Sequence, residues 1–132
     1  MATNIDPSFI EVDASIILAE LLPDEQNFPK VEEYFNDFSE KKVNFIAPTI
    51  LKYEVANALK NISSERKLTL QNKKDLLKEF LSWPIVYKDV NFYDIFKLAT
   101  LENLTVYDAS YLYLSKINNC KLLTLDKKLA SL

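Results

Sequence analysis

The chain has 132 residues, 48% of them apolar and 27% charged, a balance that suits one domain with a real core. It contains no histidine and no glycine, and Cys120 is its only cysteine. Imidazole-based nucleophilic or acid–base sites, phosphate-cradling glycine loops, Cys-rich metal clusters and internal disulfides are therefore excluded. With a net charge of −3 the chain is not broadly basic, so contact with nucleic acid would fall to local lysines such as Lys52, Lys60, Lys73 and Lys74, or to Arg66.

The chemistry that remains belongs to carboxylates, hydroxyls, amides and lysines. Carboxylates suit hard cations such as Mg²⁺ or Mn²⁺. No apolar run is long enough to span a bilayer. The polar stretch 1–7 is unlike a secretory signal, and a lone cysteine fits a reducing compartment, so a cytoplasmic protein is expected.

In chain order, residues 9–13 read as a short strand ending in Asp13. Residues 14–22 read as a helix stopped by Pro23-Asp24-Glu25. Pro29 fits the first turn of a second helix, over 29–41, and Val31, Tyr34, Phe35 and Phe38 share one face. Residues 44–47 form a second strand, halted by Pro48. Thr49 is placed to cap a helix over 49–63 that carries Leu51, Val55, Leu59 and Ile62 on one side.

A helix over 71–82 uses Leu76, Leu77, Phe80 and Leu81. Residues 85–87 make a third strand. Phe92, Ile95, Phe96 and Ala99 mark an amphipathic helix ending near Asn103. Residues 107–118 are apolar nearly all round, so that helix should be well buried. Asn118-Asn119 can close it, because asparagine tolerates the left-handed cap position. Residues 121–125 are the last strand, followed by a short helix after Asp126. Strands alternating with helices predict a mostly parallel α/β sheet, covered on both faces, in a single domain over 1–132. Glu11, a charge inside a central strand, has no explanation at this level.

Ligands of such sheets sit beyond the carboxyl ends of the strands. Asp13, Glu54, Asp108 and Asp126 all fall near strand ends or helix starts. Asp13 and Asp126 would also serve as helix N-caps, and Thr105 with Asp108 fits a capping box. Glu54 lies in the second turn of its helix, where it cannot be a cap. Asn57 and Asn61 continue its polar strip.

Four segments occur in an order and spacing that resemble the PIN-domain nucleases, most closely the VapC-type toxins of toxin–antitoxin pairs. They are Val12-Asp13-Ala14-Ser15, Tyr53-Glu54-Val55-Ala56-Asn57-Ala58-Leu59, Leu104 to Leu112, and Leu123-Thr124-Leu125-Asp126-Lys127-Lys128-Leu129. Asn103 stands where the family usually has glycine. The resemblance implies a three-layer α/β/α fold and a Mg²⁺- or Mn²⁺-dependent endoribonuclease with its acids on Asp13, Glu54, Asp108 and Asp126. Asp13 and Asp108 would be direct ligands, Glu54 a ligand or water-orienting group, and Asp126 a weaker or second-metal ligand.

Ser15, Asn57 and Thr124 are candidate supporting groups. Carboxylates ~4 Å apart repel by roughly 1–4 kcal/mol per pair, and a divalent cation turns that repulsion into a binding site. The resemblance also implies a homodimer and a small antitoxin lying across the helices at 14–22 and 29–41. Phe28, Tyr34, Phe35 and Phe38 look like more aromatic surface than one core face needs. Two alternatives stand beside this. One is a haloacid-dehalogenase-like phosphatase, whose Asp-x-Asp is met here by Asp13-Ala14-Ser15. The other is a PIN-like module that binds RNA or a partner without cutting.

Overall fold

The computed structural model describes residues 8–22 and 28–132. The helix stop at Pro23-Asp24-Glu25 and the stretch 1–7 lie outside them. Four strands form one parallel sheet: β1 (Ser8–Val12), β2 (Val43–Pro48), β3 (Val86–Lys88) and β4 (Lys121–Leu123), in the order β3-β2-β1-β4. Seven helices accompany them among the described residues: α1 (Ala14–Leu21), α2 (Pro29–Ser39), α3 (Ile50–Lys60), α4 (Leu70–Ser82), α5 (Phe92–Glu102), α6 (Val106–Asn118) and α7 (Lys127–Ala130). A 3₁₀ turn at Ser64–Arg66 follows α3, which stops short of the expected residue 63.

Helices α1 to α4 pack together on one face of the sheet, and α6, with α5 behind it, covers the other. This is the three-layer α/β/α arrangement anticipated from the alternation of elements. All four strands run the same way, so their carboxyl ends share one edge. Along β1, side chains alternate between faces. Ile10 and Val12 join the larger core with Phe45, Ala47, Ile16, Ile17, Leu51 and Val55. Glu11, between them, points toward α6. A smaller core of Ile95, Ala99 and Ala109 joins α5 to α6.

Three expectations need correction. Thr49 does not cap α3: its backbone is already helical (φ −58, ψ −23), and its side chain makes no capping bond. A capping hydroxyl needs an extended backbone to reach forward. Part of the aromatic surplus of α2 turns inward, while Phe28 and Tyr34 stay partly exposed. Phe38 stacks on Phe45 with ring centroids 4.2 Å apart, and Phe35 meets Phe45 and Trp83 edge-on at 5.2 and 5.4 Å. The apolar stripe of α5 is split: Ile95 and Ala99 are buried, but Phe92 is 76% and Phe96 64% exposed.

A chain without glycine must place other residues at left-handed turns. Asn103 (φ 52) closes α5 and Asn119 (φ 48) closes α6. The next N–H reaches back over each turn, Leu104 to the Ala99 carbonyl at 2.9 Å and Cys120 to the Ser115 carbonyl at 3.1 Å. These are Schellman-type closures. Asn103→Gly should therefore match or exceed the parent in stability. Asn103→Val should lose about 1–2 kcal/mol. Urea midpoints of the two variants check both, and a Val variant as stable as the parent would contradict the left-handed assignment.

Candidate active site

Asp13 follows β1 directly and is the N-cap of α1. Its Oδ1 accepts the Ser15 hydroxyl at 2.6 Å and the Ile16 N–H at 3.2 Å, and its Oδ2 accepts the Thr124 hydroxyl. The Ser15 and Thr124 oxygens in turn accept the N–H groups of Leu125 at 2.9 Å and Asp126 at 3.0 Å. One carboxylate thus joins the end of β1, the start of α1 and the turn after β4. Burial pushes the Asp13 carboxyl above its usual range, and its hydrogen bonds pull against that rise.

Glu54 sits in the second turn of α3, half-buried. The Tyr111 hydroxyl, on α6, donates to its Oε1 at 2.6 Å. Burial raises the Glu54 pKa, the Tyr111 bond lowers it, and the neighbouring charges of Asp13 and Asp108 raise it further. Tyr111 itself is buried, which, with Glu54 beside it, pushes its phenol well up and keeps it a donor. Asp108 stands in the first turn of α6. Thr105 caps that helix through the Asp108 N–H at 3.0 Å. The return bond of a capping box is absent among the described residues, so the Asp108 carboxylate is not committed to the cap.

Asp126 is exposed and caps α7, accepting the N–H groups of Lys128 at 2.9 Å and Leu129 at 3.2 Å. It reaches Asp13 only through its backbone and Thr124. Asn57 is exposed one turn beyond Glu54 and accepts from Asn61 at 3.4 Å. The fold therefore brings Asp13 and Asp108 each within electrostatic reach of Glu54 and holds Asp126 at the margin. Among the described residues, no three acidic, histidine or cysteine side chains are drawn close enough to hold a metal ion as they stand.

Two further groups belong to this cluster. Tyr111 lies one turn after Asp108, and that i, i+3 spacing on a helix facing the sheet was its only sequence signal. Glu11 is fully buried, and neither carboxyl oxygen has a hydrogen-bond partner among the described residues. Burial, and then the charge of Asp13, push its pKa up to about 9, so it is a neutral acid at pH 7.

The fold and these carboxylates define an α/β protein with an acidic site at the carboxyl edge of a parallel sheet. The model of the PIN domain matches residues 10–132, and the chain belongs to the PIN-domain family. It is similar to Ribonuclease VapC3 of Pyrobaculum aerophilum, with 34% identity over 124 residues, covering 90% of each chain. In fold it is similar to the crystal structure of PAE2754 from the same organism, with a TM-score of 0.73 at 24% identity, covering 96% of this chain and 79% of that one.

The buried Glu11 makes a testable difference to stability. Above pH 4.5 an unfolded chain releases this proton, while the folded chain keeps it to about pH 9. Stability therefore falls as pH rises through that window. Glu11→Met keeps the length and removes the ionisable group. Its melting temperature should exceed the parent's at pH 8 by more than at pH 5. Parallel pH profiles for the two proteins would show that Glu11 is not the source of the slope.

Proposed function

We propose that residues 1–132 act as one domain, a Mg²⁺- or Mn²⁺-dependent endoribonuclease that is the toxin half of a toxin–antitoxin pair. The observation that carries this reading is that Glu54 feels the charges of both Asp13 and Asp108 at the carboxyl edge of a PIN fold. The name of the Pyrobaculum relative supports RNA as the substrate, and the resemblance to VapC-type toxins supports an antitoxin as the partner. The donor set fits a hard divalent cation: the groups are oxygens, partly desolvated and mutually repelling, and neutralisation relieves both costs.

Asp13 and Asp108 are the proposed direct ligands, with Asp126 a weaker one. When bound, the cation supplies positive charge against the phosphate oxygens and acidifies water. Asp13 is held in orientation by Ser15 and Thr124. Oδ1 accepts two bonds, from Ser15 and the Ile16 N–H, so the lone pair left for ligation is on Oδ2, which accepts only Thr124. Glu54, oriented by Tyr111 and with raised proton affinity, is suited to take a proton from the attacking water. Asn57 is placed to meet the substrate from the exposed side of α3. In the phosphatase alternative the second aspartate would fall at Ser15, whose hydroxyl is instead bound to Asp13.

A groove of about 360 Å³ between α1, α2 and α4, lined by Glu20, Phe35, Phe38 and Trp83, suits an apolar side chain of an antitoxin segment. The toxin is further proposed to be a homodimer, which light scattering of the isolated chain tests.

Asp13→Asn, Asp108→Asn and Glu54→Gln should each lose RNA cleavage and weaken Mn²⁺ binding. Without metal, Asp108→Asn should be at least as stable as the parent, since its carboxylate accepts no hydrogen bond among the described residues. Asp13→Asn keeps the cap but gives up one hydroxyl bond, so it should gain less. Tyr111→Phe should cost about 10–100-fold in activity or metal affinity. Cleavage assays with Mn²⁺ and with EDTA, beside thermal melts, check the set. Cleavage that persists in EDTA, or at parental rate in Asp13→Asn, would end this reading.

A further inference from the structure

A cavity of about 270 Å³ opens on the carboxyl edge of the sheet beside the acids. Ile50 of α3, Phe92 and Ile95 of α5, and Val106 and Tyr107 of α6 form its walls, with Lys88 and Asp89 at the end of β3 on its rim. It is not part of the acid cluster described above. Val106 and Tyr107 immediately precede Asp108, so one turn of α6 serves both the cavity and the acids. Phe92 is 76% and Tyr107 57% exposed, so both rings are open to a flat partner.

The strand order sets what surrounds it. Along the edge, β3 ends in Lys88, β2 leads into Ile50 and Lys52, β1 ends at Asp13, and β4 leads to Thr124, Asp126, Lys127 and Lys128. Lysines thus flank the carboxylates at both ends of the row. Lys52 lies over the Tyr87 ring, 4.4 Å from its centre, and Tyr87 packs against the larger core, so this pair sits on the other face of the sheet from the cavity. Neighbouring strands are ~4.8 Å apart, so the cavity lies about 5–10 Å along the edge from Asp13.

We infer that this cavity is a nucleobase subsite, taking the base of a nucleotide next to the cleaved phosphate of single-stranded RNA. The inference rests on the nuclease reading and adds to it where the base goes and along which line the strand lies. A strand crossing the edge from β4 to β3 meets Lys127 and Lys128, then the acids, then Lys88. Aromatic walls accept any base by stacking, which binds single strands with little sequence preference. A polyanion fits the flanking lysines. The carboxylates between them repel any polyanion alike, and the exposed Phe92 and Tyr107 rings favour one that carries bases.

The test uses Asp13→Asn as a non-cleaving background and reads binding by anisotropy of a fluorescein-labelled single-stranded oligoribonucleotide. Adding Phe92→Ala should weaken binding about tenfold, in line with the loss of one stacked base. Phe96→Ala, on the same helix but outside the cavity, should change nothing. An oligonucleotide with an abasic ribose beside the cleavage position should bind weakly to the background protein and lose little more on Phe92→Ala. An equal loss with intact and abasic RNA, or no loss with either, overturns the subsite. Unchanged RNA binding with a shift in oligomeric state on Phe92→Ala would assign the cavity to a second copy of the chain and overturn it equally. A base-dependent effect of Phe92 in a protein whose parent cuts no RNA with Mg²⁺ or Mn²⁺ would uphold the subsite and remove the nuclease reading.

Discussion

The Asp13 carboxylate is the joint on which the structure closes. Its oxygens accept from an α1 N–H, from the hydroxyl two residues on, and from Thr124, 111 residues away. Through Ser15 and Thr124 the same group fixes the backbone of Leu125 and Asp126. Capping a helix and orienting a functional carboxylate are usually separate tasks. Here the same bonds perform both. The edge strand β4 has only three residues, and its ladder alone would hold the following turn loosely.

That economy concentrates charge where the fold can least solvate it. Asp13, Glu54 and Glu11 are all pushed toward their protonated forms by burial. Each burial opposes folding, against a total stability of only about 5–15 kcal/mol for a typical domain. The aromatic core under the opposite face, where Phe38 stacks on Phe45, supplies compensating packing. Glu11 shows the imbalance most plainly, being a neutral acid with neither oxygen partnered among the described residues. The carboxylates above it can be relieved by a cation from solvent. Glu11, fully buried, is beyond direct reach of one.

Much of this was legible in the chain because the signals were local. Helix spacing marked α2, α4 and α6, and the two asparagines announced the left-handed closures of α5 and α6. Alternation of strand and helix gave the layers, and the run of helix starts and strand ends pointed to the acids. What was not legible depends on what covers a face rather than on which residues share it. Periodicity grouped Phe92 and Phe96 with Ile95, but α6 is only wide enough to cover Ile95 and Ala99. It also placed Phe35 and Phe38 on one face without showing that β2 and Trp83 fill the space beyond. The Tyr111–Glu54 bond spans 57 residues and joins two helices, so no local pattern encodes it. Thr49 failed as a cap because its residue type suited the role but its backbone did not.

The parallel pairing of β1 with β4 has a consequence for synthesis. β1 is made before α1 to α6, and its second partner, residues 121–123, is made after them. Thr124, which completes the hydrogen bonding of Asp13, comes later still. Domains emerge from the ribosome N-terminal part first. Helices α1 to α6 can therefore all be translated while Asp13 still lacks its final support. For an enzyme proposed to cut RNA, this ordering delays a finished site until Thr124 has been made.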